Sequence, residues 1–112
     1  LEGPEKLASD GLRRYLIVSH QVKQSQQSWQ ALVPAQQREM YQVISLWQNA
    51  TQQGDVEAQS WLGAMYAEGH GVEKNNKEAV RWFRMAAEQE DAIAQFSLSV
   101  MYDQGEGVDK NE

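Results

Sequence analysis

The sequence contains no cysteine and only 2 prolines among its 112 residues. The first absence removes disulfides, thiolate metal sites and cysteine nucleophiles together, and it leaves the redox compartment unread. The second, beside 8 glycines, leaves too little turn chemistry for a loop-rich or β-turn-rich architecture. Basic residues are scarce as well: Lys and Arg number 10 against 16 Asp and Glu, a net charge of -6. Such a chain repels phosphate backbones and anionic lipid surfaces, so no nucleic-acid partner is expected. Apolar runs such as Leu16-Ile17-Val18 are far too short to cross a bilayer or to serve as a secretory core. No membrane insertion is expected. What the chain does have is 41% hydrophobic and 23% charged residues, material for a packed core rather than for disorder.

Shifting the chain by 36 residues lays 54–76 over 90–112 with eleven identities in 23 positions. They are Asp55/Asp91, Ala58/Ala94, Gln59/Gln95, Leu62/Leu98, Met65/Met101, Tyr66/Tyr102, Gly69/Gly105, Gly71/Gly107, Val72/Val108, Lys74/Lys110 and Asn75/Asn111. An internal repeat of this quality decides the fold before any single element is read. Within the unit, Ala58, Leu62, Met65 and Tyr66 fall at i, i+4, i+7 and i+8, one face of a helix. Asp55 and Asp91 stand where an N-cap is needed, and Gly69 and Gly71 supply the left-handed backbone that ends a helix. Val72 is expected to tuck back under that turn. Asn75 with Glu78 reads as a capping box for a second helix, whose apolar face is Ala79, Val80, Trp82, Phe83, Ala86 and Ala87.

An earlier echo lies one period upstream, where Val43, Ile44, Leu46, Trp47 and Ala50 match Ala79, Val80, Trp82, Phe83 and Ala86. With Pro34 at its start and Gly54 at its end, it predicts a helix over about 35–52. Tyr15, Val18, Val22, Trp29 and Leu32 form a stripe, interrupted by Ser25, that predicts another helix over about 11–32. Its glutamine-rich middle (Gln21, Gln24, Gln26, Gln27, Gln30) reads as a solvated face that caps the array. The expected organisation is therefore a disordered or tag-derived lead over 1–10, a degenerate helical hairpin over 11–53, one full repeat over 54–89 and a truncated one over 90–112. The opening Leu1 and the stop at Asn111-Glu112 fit a segment of a longer protein.

The pattern Ala58-x3-Leu62-Gly63-x2-Tyr66-x2-Gly69-x-Gly71-Val72, followed by Ala79-x2-Trp82-x3-Ala86-Ala87, resembles the Sel1-like repeat, a relative of the tetratricopeptide repeat. The second copy keeps Ala94, Leu98, Tyr102, Gly105, Gly107 and Val108, and departs at Glu90 and Ser99, where glycine is usual. The resemblance implies an all-α fold, a right-handed α-α superhelix of helical hairpins. It also implies a non-enzymatic scaffold or adaptor, mainly bacterial, that binds partner proteins through a concave face. A structural self-assembly module and an accessory region of a larger protein are the alternatives. Periplasm and cytoplasm stay equally open.

Enzyme chemistry finds little support in the residues. His20 and His70 lie in different elements, and Glu106 replaces His70 in the second copy, so a surface loop histidine is expected. Glu88, Glu90 and Asp91 read as a cap with solvated charge rather than an acid–base pair. Asp103, Glu106 and Asp109 lack the register of a calcium loop and match the repeat turn instead. No catalytic residue, metal or cofactor is assigned. The positions that the repeat leaves free carry the binding expectation: Trp61, Ala64 and Glu68 on one first helix, and Ile93, Phe96 and Val100 on the next. Trp61 is the expected anchor. The final first helix, over about 91–104, is expected to lack its partner helix, leaving Leu98, Met101 and Tyr102 partly uncovered and open to self-association.

Overall fold

The computed structural model describes residues 3–106, and within them every regular element is a helix, with no strand. The helices are α1 (Pro4–Ser25), α2 (Pro34–Gln52), α3 (Val56–Glu68), α4 (Asn76–Ala87) and α5 (Ala92–Gln104), with a 3-10 turn at Trp29–Ala31. Gly107, Val108 and the end of the partial repeat lie outside the described residues.

Each boundary has a local cause. Asp55 accepts the amide of Ala58 at 2.8 Å, Asp91 that of Ala94 at 2.8 Å, and Asn75 that of Glu78 at 3.1 Å. These bonds satisfy amides that a helix start leaves without partners. The box expected at Asn75 and Glu78 closes on one side only, because the Glu78 carboxylate turns to Arg81, 2.8 Å away. Gly69 and Gly105 end α3 and α5 at φ 72° and 69°, as the glycine pattern required. Val72 packs against the first core cluster, and the Asn75 amide closes the repeat turn on the Tyr66 carbonyl at 2.9 Å.

Two expectations at the N-terminal side are corrected. The chain is helical from Pro4, so 4–10 is no disordered lead: Pro4 suits the first turn, and Leu7 and Ala8 are buried. The helix expected to run to 32 stops at Ser25. There the Ser25 hydroxyl bonds back to the Gln21 carbonyl at 2.8 Å, and Gln26 adopts φ 56°. Trp29 and Leu32 reach the core through the 3-10 turn instead, which the Ser28 hydroxyl caps. The glutamines divide accordingly. Gln27 and Gln21 hydrogen-bond the buried Gln36 at the start of α2, whereas Gln24, Gln26 and Gln30 face solvent.

Successive helices pack in chain order, α1 on α2, α2 on α3, α3 on α4 and α4 on α5. The molecule measures 42 × 36 × 17 Å, about two helices thick. Two hydrophobic clusters fill it, one centred on Trp47, Met40 and Leu62 and the other on Phe83, Ala86 and Met101. The aromatic ring of each second helix sits against a glycine of the helix before it. A Cβ on Gly11 would fall 2.5 Å from Trp47, and one on Gly63 would fall 2.8 Å from Phe83. Trp47 is fully buried, and its indole Nε1 donates to the Ala8 carbonyl at 3.1 Å.

The exposed edge is narrower than expected. Met101 is buried against α4, and the Tyr102 hydroxyl accepts a hydrogen bond from Arg84, which leaves Leu98 half-buried beside them. Arg84 thereby reaches across from α4 to α5.

Candidate functional site

Helices α3 and α5 are the first helices of consecutive hairpins; both pack on α4, and residues of all three line the space between them. On α3, Glu57, Trp61, Ala64 and Glu68 fall at i, i+4, i+7 and i+11, a single stripe. On α5, Ile93, Phe96 and Val100 make the facing row. Between the rows are two adjoining cavities of about 310 and 300 Å³, which share Ala64, Ser97 and the Phe83 ring from α4. The first takes in Trp61 and Ile93, and the second takes in Glu68, Phe96 and Val100. The six residues singled out from the repeat phase thus all line this pair of adjoining cavities, which together form a groove.

Their exposure separates them. Ile93 and Phe96 are 70% and 72% exposed, large apolar groups that packing leaves in water. Trp61 is corrected from free anchor to half-buried wall. Its ring stacks on Trp47 at 5.5 Å and 13°, and it lies 5.9 Å from Tyr15. Position 97, its counterpart, is a serine, so the indole fills space that the preceding hairpin opens.

One end of the groove is tied down by Asp91. Besides capping α5, it accepts the Ser60 hydroxyl at 2.7 Å and so joins α3 to the start of the next hairpin. The other end approaches a cluster that sequence reasoning missed. His70 is half-buried rather than a free loop residue. Its ring stacks on Trp29 at 4.1 Å and 11°, and its Nδ1 lies 2.9 Å from the Tyr15 hydroxyl. Burial holds the His70 imidazole below its usual pKa, with the Glu68 charge opposing, and burial raises that of Tyr15. These rings come from α1, the 3-10 turn and the repeat turn. The stripe put Tyr15 and Trp29 on one face, but no spacing pointed to His70 joining them.

The described residues contain no group of three or more His, Cys, Asp or Glu placed to hold a metal, and no helix long and apolar enough to cross a membrane. The geometry is that of an open groove, apolar along its middle and lined by charged residues toward its ends.

Comparison with known proteins agrees with the repeat phase. The Sel1 repeat profile matches residues 56–91 and 92–112. Among solved structures, a protective antigen of uropathogenic Escherichia coli displaying an SLR fold is 31% identical, with a TM-score of 0.60 over 88% of this chain and 19% of that one. A Sel1 repeat protein from Oxalobacter formigenes is 26% identical, with a TM-score of 0.59 over 93% of this chain and 49% of that one. The chain therefore spans 19% and 49% of the lengths of these two relatives. Among curated proteins, none matches it. With two Sel1 repeats in the phase that the 36-residue period sets, covering half of its length, the chain belongs to the Sel1 repeat family.

Proposed function

We propose that this chain is a protein–protein interaction module, a scaffold or adaptor without catalysis of its own, that holds a partner in the groove between α3 and α5. Sel1 repeats are generally interaction modules, and this chain carries two of them. The observation that carries the reading is the exposure of Ile93 and Phe96, 70% and 72%, beside cavities floored by Phe83. Apolar groups kept in water next to a groove gain most from being covered, and clustered apolar and aromatic side chains dominate interface energetics.

The test is capture from a lysate of the source cell with the full chain as bait, beside the double variant Ile93→Ala with Phe96→Ala. Both residues stand clear of the core, so the variant keeps its helicity. A partner retained by the parent chain and lost by the variant supports the groove. Equal retention by both would place the interaction elsewhere. Recovery of this chain's own parent protein alone would favour self-assembly instead.

A further inference from the structure

The groove is apolar along its middle and acidic at its ends. Glu57 and Asp91 line the cavity nearer the start of both helices, and Glu68 and Glu106 line the one nearer their ends. Lys74 is the single basic residue among the described residues that line the two cavities. The chain as a whole carries a net charge of -6, so the distant field has the same sign as the local one. A partner with acidic flanks would be repelled at both ends, and a neutral one would leave the exposed Glu57 and Glu68 without a charge from the partner, Asp91 being held already by Ser60 and the Ala94 amide. Lys and Arg supply that complement and keep their aliphatic stems on the apolar walls.

From this charge pattern we infer that the partner is a short peptide segment with apolar side chains at its centre and Lys or Arg on both flanks. The inference rests on the docking reading above. The spacing follows from the helix: Glu57 and Glu68 are eleven residues apart on α3, about 16 Å at a rise of roughly 1.5 Å per residue. An extended segment covers that distance in about five residues, so its basic flanks stand about five positions apart. Two apolar side chains between them fill the two cavities, over the Phe83 ring and against Ile93 and Phe96.

The experiment is panning of a phage-displayed library of random dodecapeptides at low salt on the full chain. The same library is panned on Ile93→Ala with Phe96→Ala and on Glu57→Lys with Glu68→Lys. The expected result is a set of peptides that the apolar variant loses, with Lys or Arg on both sides of an apolar pair. As labelled synthetic peptides, they bind the charge-reversed variant about five- to tenfold more weakly, as two partly exposed ion pairs allow. That difference shrinks at high salt, where screening removes it. Groove-dependent peptides without basic flanks would overturn the inference while the docking reading stood. No groove-dependent peptide at all would overturn it too, and the docking reading would then be judged by its own capture experiment.

Discussion

Glu90 occupies the place that Gly54 holds one period earlier, and both take left-handed backbone, φ 66° and 89°. A side chain with a Cβ pays for that conformation in steric crowding, about 1–2 kcal/mol, whereas glycine does not. Glycine gives part of this back through its freer unfolded chain. Glu90→Gly is expected to stabilise the fold by up to about 1 kcal/mol, read as a higher urea midpoint with an unchanged slope. His70 makes a second prediction at this scale. Burial holds its folded-state pKa below the free value of 6.5, so the unfolded chain takes up the proton first as the pH falls. Stability on this account is complete above about pH 6.5 and declines as the pH drops toward the folded value. Urea midpoints measured from pH 7.5 to 5 should fall for the parent chain, and His70→Gln should flatten that part of the slope. An unchanged slope in the variant would show that the imidazole is not the group responsible.

At the level of the element, helices that repeat themselves were legible and those that do not were only partly so. Asp55, Asn75 and Asp91 placed the starts of α3, α4 and α5 because an N-cap needs an acceptor there, and Gly69 placed an end because few other residues tolerate φ near 70°. The facing rows of the groove followed from the same phase, since positions that packing does not need are visible once two copies are aligned. The start of α1 was not legible. Leu7 and Ala8 look ordinary in sequence, and what buries them is α2, whose Trp47 reaches back 39 residues to the Ala8 carbonyl. Trp61 was misread for a related reason: a stripe position shows that a residue is free of its own hairpin, not that it is free of the preceding one. Tyr15 and Trp29 shared a stripe in the sequence, but nothing in any periodicity brought His70 to them, because it comes from the repeat turn.

On the scale of the whole molecule, helices pack in succession and the slab is only 17 Å thick, so each hairpin leans on its neighbours and on little else. Stability in such an array is close to a sum of hairpin and interface contributions. Leu7→Ala at the α1 end is expected to cost about 2 kcal/mol, the low side of a buried leucine truncation. Its effect should stay local. Amide exchange in α1 and α2 should quicken, while the amides of α5 keep their protection. Uniform acceleration in all five helices would mean that the slab opens as one cooperative unit.

The pairing of glycine with aromatic ring acts as a wedge. In the first hairpin the wedge is an indole against Gly11, and in the second it is a phenyl against Gly63. Each ring occupies the space that a side chain on the facing glycine would need, and Phe83 also floors both cavities. The approach of α3 to α4 and the depth of the cleft therefore both depend on Phe83. A change of ring size there re-gauges both together, so the packing of the second hairpin and the depth of the cleft cannot vary independently.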